Sequence, residues 1–237
     1  TVPAGGSCPD RWLAEFADME RGAQNWLNQV VGHLPAPMTT DTPVAMAARG
    51  NALADLFNTV QLAASGAQIS VTSLPNDPAG LPQTVRRQDV LNAYPYANTL
   101  TILRITGAVL RQAMERSAEY FTREPDGSLR VSDEFLKPKV EHYNYDYYAG
   151  VHYVFDCARP RGSRVVELSV DGRPVADTDT FTACLSSYRA SGTGGYECYV
   201  GCPVLGEIGT EMSDLLLDFF RVHPEHLPLK PGTFRVL

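Results

Sequence analysis

No apolar run in the sequence approaches the ~18 residues that a membrane span needs, so no bilayer-crossing helix is expected. Basic residues are in the minority, 20 Lys and Arg against 27 Asp and Glu, for a formal charge of −7. That is the wrong sign for a surface that grips nucleic acid through its phosphates, and it argues against a polymeric nucleic-acid partner. The five cysteines, Cys8, Cys157, Cys184, Cys198 and Cys202, contain no C-x-x-C pair. Cys198 and Cys202 lie nearest each other, with no histidine close by, and leave a zinc site, an oxidised pair and idle thiols all open. Catalytic signatures are missing too: there is no G-x-S-x-G elbow, no H-E-x-x-H helix and no G-x-x-x-x-G-K-[ST] loop.

What is present is a chain of 237 residues, 44% hydrophobic, long enough to bury a core as one large domain or two small ones. It opens at Thr1 without an initiator methionine or a basic-then-apolar leader, and is expected to be a soluble piece of a longer protein. Trp12, Phe16, Met19, Ala23, Trp26 or Leu27, and Val30 recur at three- and four-residue steps, which predicts one amphipathic helix over residues 9 to 33. A Pro- and Thr-rich joint follows from Pro35 to Pro43. Leu53, Leu56, Phe57 and Val60 mark a second helix, and Gln68 to Thr72 reads as a strand entering the turn-rich loop Ser73 to Gly80. Arg87 to Leu91 suits a helical turn, and Thr99 to Ile105 alternates like a half-buried strand. Thr106 is placed to cap a helix whose apolar face is Leu110, Met114, Ala118 and Phe121, with a turn at Pro125-Asp-Gly127.

The second half is β-rich: Val151 to Phe155, Arg164 to Val170, a turn at Asp171-Gly172, and Thr180 to Leu185. A last helix runs from about Thr210 to Val222. Helices and strands mix without a regular βαβ period, which predicts an α+β fold with mixed β-sheets flanked by helices.

Candidate chemistry concentrates in aromatic and glycine-rich segments. His223 and His226 flank Pro224 at a helix end, where solvated side chains are expected, and His142 beside Glu141 lacks a third ligand. Ser191-Gly-Thr-Gly-Gly-Tyr196 follows a strand without the spacing of a dinucleotide fingerprint. It reads either as a tight turn or as a loop around a small planar ligand, with Tyr188 before it and Tyr196 closing it. Two further clusters, Tyr94-Pro-Tyr-Ala-Asn98 and His142-Tyr-Asn-Tyr-Asp-Tyr-Tyr148, suit either the edge of a core or a nucleobase held between phenol rings with an amide at its edge.

Several strings together resemble the C-terminal domain of the 5′-nucleotidase superfamily. They are Gly50-Asn-Ala-Leu-Ala-Asp55, Arg87 through Leu100, Leu103-Arg-Ile-Thr-Gly107, Tyr143-Asn-Tyr-Asp146, Gly150-Val-His-Tyr153 and Ser187-Tyr-Arg-Ala-Ser-Gly-Thr-Gly-Gly-Tyr196. The 2′,3′-cyclic-nucleotide 2′-phosphodiesterase/3′-nucleotidase branch is the nearest in pattern. The resemblance implies that residues 1–34 are a linker helix leading from a catalytic domain absent from this chain, and that residues 35–237 bind the nucleoside. It implies a partner metallophosphoesterase domain in cis with two divalent metal ions, no cofactor and no catalytic or metal-ligating residue in this chain, and export to the periplasm or cell surface. By the same resemblance Tyr96 and Tyr188 would stack on the base of a nucleoside or mononucleotide and Asn98 would read its edge, with Ser191, Gly192 and Gly194 completing the site.

Two departures from the family pattern stand out. The loop position that carries a ribose-binding Asp in 5′-nucleotidases is Gly194 here, and the stretch that carries a phosphate-binding Arg is Thr72-Ser-Leu-Pro-Asn76, without Arg. Alternatives are a 5′-nucleotidase or UDP-sugar hydrolase domain, or a structural module that keeps the fold without catalysis.

Overall fold

The computed structural model of the chain describes residues 10–237, so Cys8 lies outside the described residues. The first helix, α1 (Asp10–Leu27), ends well before residue 33. Asn28 closes it, its backbone N–H and side-chain Nδ2 both donating to the Gln24 carbonyl, at 2.9 and 2.8 Å. The β-branched pair that follows enters a strand instead, β1 (Val30–His33), whose ladder partner is the segment 84–86. The apolar stripe of α1 faces outward: Trp12, Phe16, Met19 and Trp26 are all exposed. The Arg87 guanidinium lies 4.4 Å over the Trp26 ring.

The chain continues through α2 (Pro43–Arg49), α3 (Ala52–Ser65), β2 (Ile69–Ser73), β3 (Thr84–Arg86), α4 (Arg87–Ala93), β4 (Leu100–Thr106) and α5 (Gly107–Ala118). Thr106 caps α5 as its position predicts, its side chain accepting from Val109 N at 3.2 Å. The helix stops at Ala118, so Phe121 is not on its face; it opens the hairpin β5 (Phe121–Arg123) and β6 (Leu129–Val131), whose loop holds the expected Pro125-Asp-Gly127 turn. Next come β7 (Asp146–Ala149), β8 (His152–Phe155), β9 (Val165–Val170), β10 (Arg173–Pro174), β11 (Thr180–Ser186), α6 (Ser187–Ala190), β12 (Val204–Ile208), α7 (Met212–Val222) and β13 (Thr233–Val236). Asp171 and Gly172, with φ of 50° and 75°, make the tight β9–β10 turn.

The elements form mixed sheets flanked by helices, as the absence of a βαβ period predicts. The larger sheet has the order β12-β4-β11-β2-β7, in which β11 and β2 run parallel and every other pair is antiparallel. A second sheet has the order β10-β9-β8-β13. Because β4 and β7 run against β11 and β2, one end of the larger sheet gathers the starts of β4 and β7 and the ends of β11 and β2. The register there pairs Ser186 with Leu100 and Ser73 with Asp146.

Helix α3 fixes that end from below. Its N-cap Asn51 accepts from Leu53 N at 2.9 Å, and Gly66 terminates it in the left-handed region at φ 64°. It is buried on nearly every side, so its polar residues need internal partners. Asn58 Nδ2 donates to Tyr147 O at 3.2 Å while Asn58 Oδ1 accepts from Ser70 Oγ at 2.7 Å, and Gln61 Nε2 donates to Val71 O at 3.1 Å. These bonds clamp α3 onto β2 and β7, two of the four strands whose ends converge.

The tyrosine-rich segment 142–148 divides between two roles. Tyr145, Tyr147 and Tyr148 are core residues, Tyr145 donating to Ala47 O at 2.9 Å and Tyr148 sharing a 2.9 Å hydrogen bond with Ser117 Oγ. Tyr143 is left at the sheet end.

Candidate functional site

A cleft of about 360 Å³ opens where the four strand ends meet. Ser73, ending β2, and Ser186, ending β11, lie in its wall between two sides. The loop before β4 supplies Tyr96 and Asn98, and the loop before β7 supplies Lys139 and Tyr143. Tyr188, in the first turn of α6, completes it and remains 37% exposed, a ring with a face left for a ligand.

Each side chain is held by something local. Tyr94-Pro95 forces extended backbone, which carries Tyr96 out of α4 and over the sheet end. The Tyr96 ring packs edge-on against Tyr94 (centroids 5.8 Å, 89°), and Tyr94 packs edge-on against Phe57 of α3 (5.1 Å, 84°), a relay of rings from the core to the cleft. Asn98 Nδ2 donates to the Tyr94 hydroxyl at 3.4 Å, and the Asn98 carbonyl accepts from Met212 N at 2.9 Å. Tyr188 follows the N-cap Ser186, whose side chain accepts from Arg189 N at 3.2 Å, while Ser187 N donates to Thr99 O at 2.8 Å. Burial pushes the Tyr94 hydroxyl up to about 12. It also raises Tyr96, reinforced by Tyr143 and Tyr188, and raises Tyr188 against the opposing charge of Arg189. These phenols are therefore neutral donors at pH 7.

Beneath the cleft lies a buried ion pair. Arg189 Nε and Nη2 donate to Asp146 Oδ1 at 3.1 and 2.9 Å, and its guanidinium lies 4.0 Å over the Tyr196 ring. Arg189 also donates to the Thr193 and Tyr143 carbonyls at 2.6 and 3.0 Å, tying the glycine-rich loop to the segment that carries Tyr143. Burial pushes the Asp146 carboxyl up to about 6 despite Arg189 beside it. The Arg189 charge is opposed by burial, but Asp146 together with Tyr196 and Tyr199 holds the guanidinium above its usual value.

Of the residues singled out by sequence, Tyr96, Asn98 and Tyr188 converge on the one cleft, although ~90 residues separate the first two from the third. Ser191, Gly192 and Gly194 do not line it. Ser191 Oγ donates to Tyr188 O at 2.7 Å, so it supports the turn beneath that ring. Gly192 and Gly194 have φ of 85° and 83°, and a Cβ at Gly194 would fall 2.3 Å from Asn144 Oδ1 and 2.5 Å from Arg189 Nη1. Tyr196 does not close a ligand loop; it is fully buried, donating to Asn144 O at 3.0 Å.

Sequence reasoning missed Ser73, Lys139 and Ser186 and left Tyr143 undivided from its cluster. The strand-to-helix junction before Tyr188 is a readable cue for Ser186, whereas Lys139 has no local signal.

A larger groove of about 620 Å³, lined in part by Val30, Arg87, Leu217 and Arg221, has no aromatic ring in its wall. His142 is engaged with the Tyr120 hydroxyl, 2.7 Å from Nδ1, and the thiols of Cys157, Cys184, Cys198 and Cys202 are free. Among the described residues no group of three or more His, Cys, Asp or Glu is placed to hold a metal ion. Nor, among them, is any helix long and apolar enough to cross a membrane. The cleft wall offers phenol rings on which a flat ring could stack, and an amide, serine hydroxyls and an ammonium that can hydrogen-bond.

Comparison with known proteins gives a consistent set of matches. The family described as 5′-nucleotidase, C-terminal domain, matches residues 30–201. A Staphylococcus aureus structure described as a 5′-nucleotidase, in complex with alpha-ketoglutarate, superposes with a TM-score of 0.87 at 34% identity, covering 100% of this chain and 45% of that one. The trifunctional nucleotide phosphoesterase protein YfkN of Bacillus subtilis is 28% identical over 156 residues, 61% of this chain and 10% of that protein. A 2′,3′-cyclic-nucleotide 2′-phosphodiesterase/3′-nucleotidase of Haemophilus influenzae is 27% identical over 144 residues, 54% of this chain and 22% of that protein. The matched region is thus less than half the length of each of these relatives.

Proposed function

Because the chain belongs to the 5′-nucleotidase C-terminal domain family, we propose that it is the nucleoside-recognising part of a phosphoester hydrolase, the base lying between Tyr96 and Tyr188 with Asn98 at its edge. The observation that carries this is the convergence of those three side chains, from distant segments, on one cleft that also offers neutral phenol and serine hydroxyls. Phosphoester hydrolysis is assigned to a metallophosphoesterase domain N-terminal to it in the same polypeptide, with α1 as the linker. The two divalent ions are proposed for that other domain; among the described residues no group of three or more His, Cys, Asp or Glu is placed to hold one. When bound there, such ions supply an activated water and neutralise phosphate charge; this domain's part is to hold the substrate's base and so raise its effective concentration at the metals.

The substrate proposed is a 2′,3′-cyclic nucleotide or 3′-nucleotide. Its support is the named activity of the H. influenzae relative and the absence of Arg from the loop 72–76, where Ser73 lines the cleft, Leu74 is buried and Asn76 Nδ2 donates to Val140 O at 2.9 Å. A 5′-nucleotidase role is the second reading, favoured by the S. aureus structure, and comparing 3′- with 5′-nucleotide turnover by the full-length enzyme separates the two. Export to the periplasm or cell surface is part of the same proposal.

Titration calorimetry with adenosine tests the binding role. Stacking contributes on the order of 1–3 kcal/mol per base, so Tyr96→Ala and Tyr188→Ala each weaken a roughly millimolar interaction by about 5- to 150-fold. Wild-type affinity in both variants would sink the sandwich.

A further inference from the structure

The two sides of the cleft differ in chemistry. Asn98 precedes β4 and Lys139 precedes β7, with β11 and β2 between them. Three interstrand steps of ~4.8 Å put the two supporting strands about 14 Å apart. At one side is a neutral amide. At the other is Lys139, which alone carries charge among the described residues lining the cleft.

Lys139 is held in place without being used up. Its neighbour Val140 is fixed through the Asn76 hydrogen bond, and its ammonium rests 3.2 Å from Glu141 Oε1. The Tyr143 hydroxyl donates to the same oxygen at 3.5 Å, and Asn144 Nδ2 donates to Glu141 Oε2 at 2.9 Å. The Lys139 side chain is 68% exposed, where an ion pair is weak and a flexible four-carbon stem can redirect its charge.

We propose that Lys139 reads the anionic end of the ligand, so that the cleft takes mononucleotides ahead of nucleosides. With the ring plane between Tyr96 and Tyr188 and the base edge at Asn98, the sugar-phosphate end extends towards β7 and meets the ammonium, a compact point charge with three donors that suits phosphate. Glu141 sets the limit of this preference: its carboxylate competes for the ammonium and repels the phosphate. The proposal rests on the base sandwich described above.

The test is calorimetry on the 237-residue chain with adenosine, 3′-AMP and inorganic phosphate, at low and high salt. The wild type binds 3′-AMP more tightly than adenosine, by a ratio that shrinks as salt rises. Lys139→Met lowers that ratio by up to about fivefold, equivalent to about 1 kcal/mol, the upper end for an exposed ion pair. Glu141→Gln, which keeps an acceptor for Tyr143 and a side chain of the same length, raises it. An unchanged ratio in Lys139→Met, or inorganic phosphate binding as tightly as 3′-AMP, overturns the proposal. If Tyr96→Ala loses both nucleoside and nucleotide while Lys139→Met leaves the ratio intact, the sandwich stands and the role of Lys139 falls. If Tyr96→Ala and Tyr188→Ala bind as the wild type does, the sandwich falls and Lys139 with it.

Discussion

Replacing Arg189 by Met keeps most of the side-chain volume and removes the charge and all five N–H donors. The change leaves Asp146 buried at 1% exposure, with its Oδ2 already lacking a hydrogen-bond partner. It also removes the donors to the Thr193 and Tyr143 carbonyls and the cation over Tyr196. Breaking one side of a buried pair costs about 3–5 kcal/mol once the remaining carboxylate is ionised, and at pH 7 part of that cost is already present.

The pH dependence carries a definite sign. Burial has raised the Asp146 carboxyl from 3.8 to about 6, so the folded state binds its proton more tightly than the unfolded chain does. Its contribution to stability is complete below about pH 4 and is lost as pH rises through about 6, a swing of roughly 3 kcal/mol at 1.36 kcal/mol per unit. Without Arg189 the carboxyl rises further, so the deficit of Arg189→Met grows between pH 4 and pH 7. At pH 4 only the lost hydrogen bonds and the ring contact remain. Urea unfolding of wild type and variant at pH 4, 5.5 and 7 reads this directly, and adding Asp146→Asn to Arg189→Met recovers much of the loss at pH 7. A deficit below about 1 kcal/mol at pH 7, or one that does not change with pH, refutes the reasoning.

Further outcomes follow from packing and burial. Gly194→Ala meets both a positive φ and contacts under 3 Å with Asn144 and Arg189, so it lowers stability by at least about 1–3 kcal/mol, read as a drop in Tm. Burial pushes the thiols of Cys157 and Cys184 up to about 11 each, so in the folded chain they resist a thiol reagent at pH 8 and react once the chain is denatured; rapid modification of both before unfolding contradicts their burial.

Much of the frame is readable from local pattern. Thr106 before a 3.6-period run and Asp171-Gly172 between alternating runs each state their structure within a few residues. The end of α1 is less legible, because the apolar period runs on through Val30 while the ladder to Thr84–Arg86 draws that residue into a strand. The cleft is half legible for the same reason. Tyr96, Asn98 and Tyr188 sit in strings with their own turn and cap chemistry, and the resemblance marks them. Ser73 and Lys139 reach the cleft through strand order alone, since β4-β11-β2-β7 mixes parallel and antiparallel neighbours from remote parts of the chain. Gly194 shows the opposite case: motif alignment points it at a ligand, whereas its Cα faces the Asn144 and Arg189 side chains.

The most direct measurement is a crystal structure of the 237-residue chain soaked with 3′-AMP at a concentration well above the expected millimolar affinity. The base should lie between the Tyr96 and Tyr188 rings at stacking distance, ~3.5 Å from each, with Asn98 hydrogen-bonded to its edge. Density for the nucleotide elsewhere, or an empty cleft at saturating ligand, would contradict the assignment of this domain as the nucleoside reader.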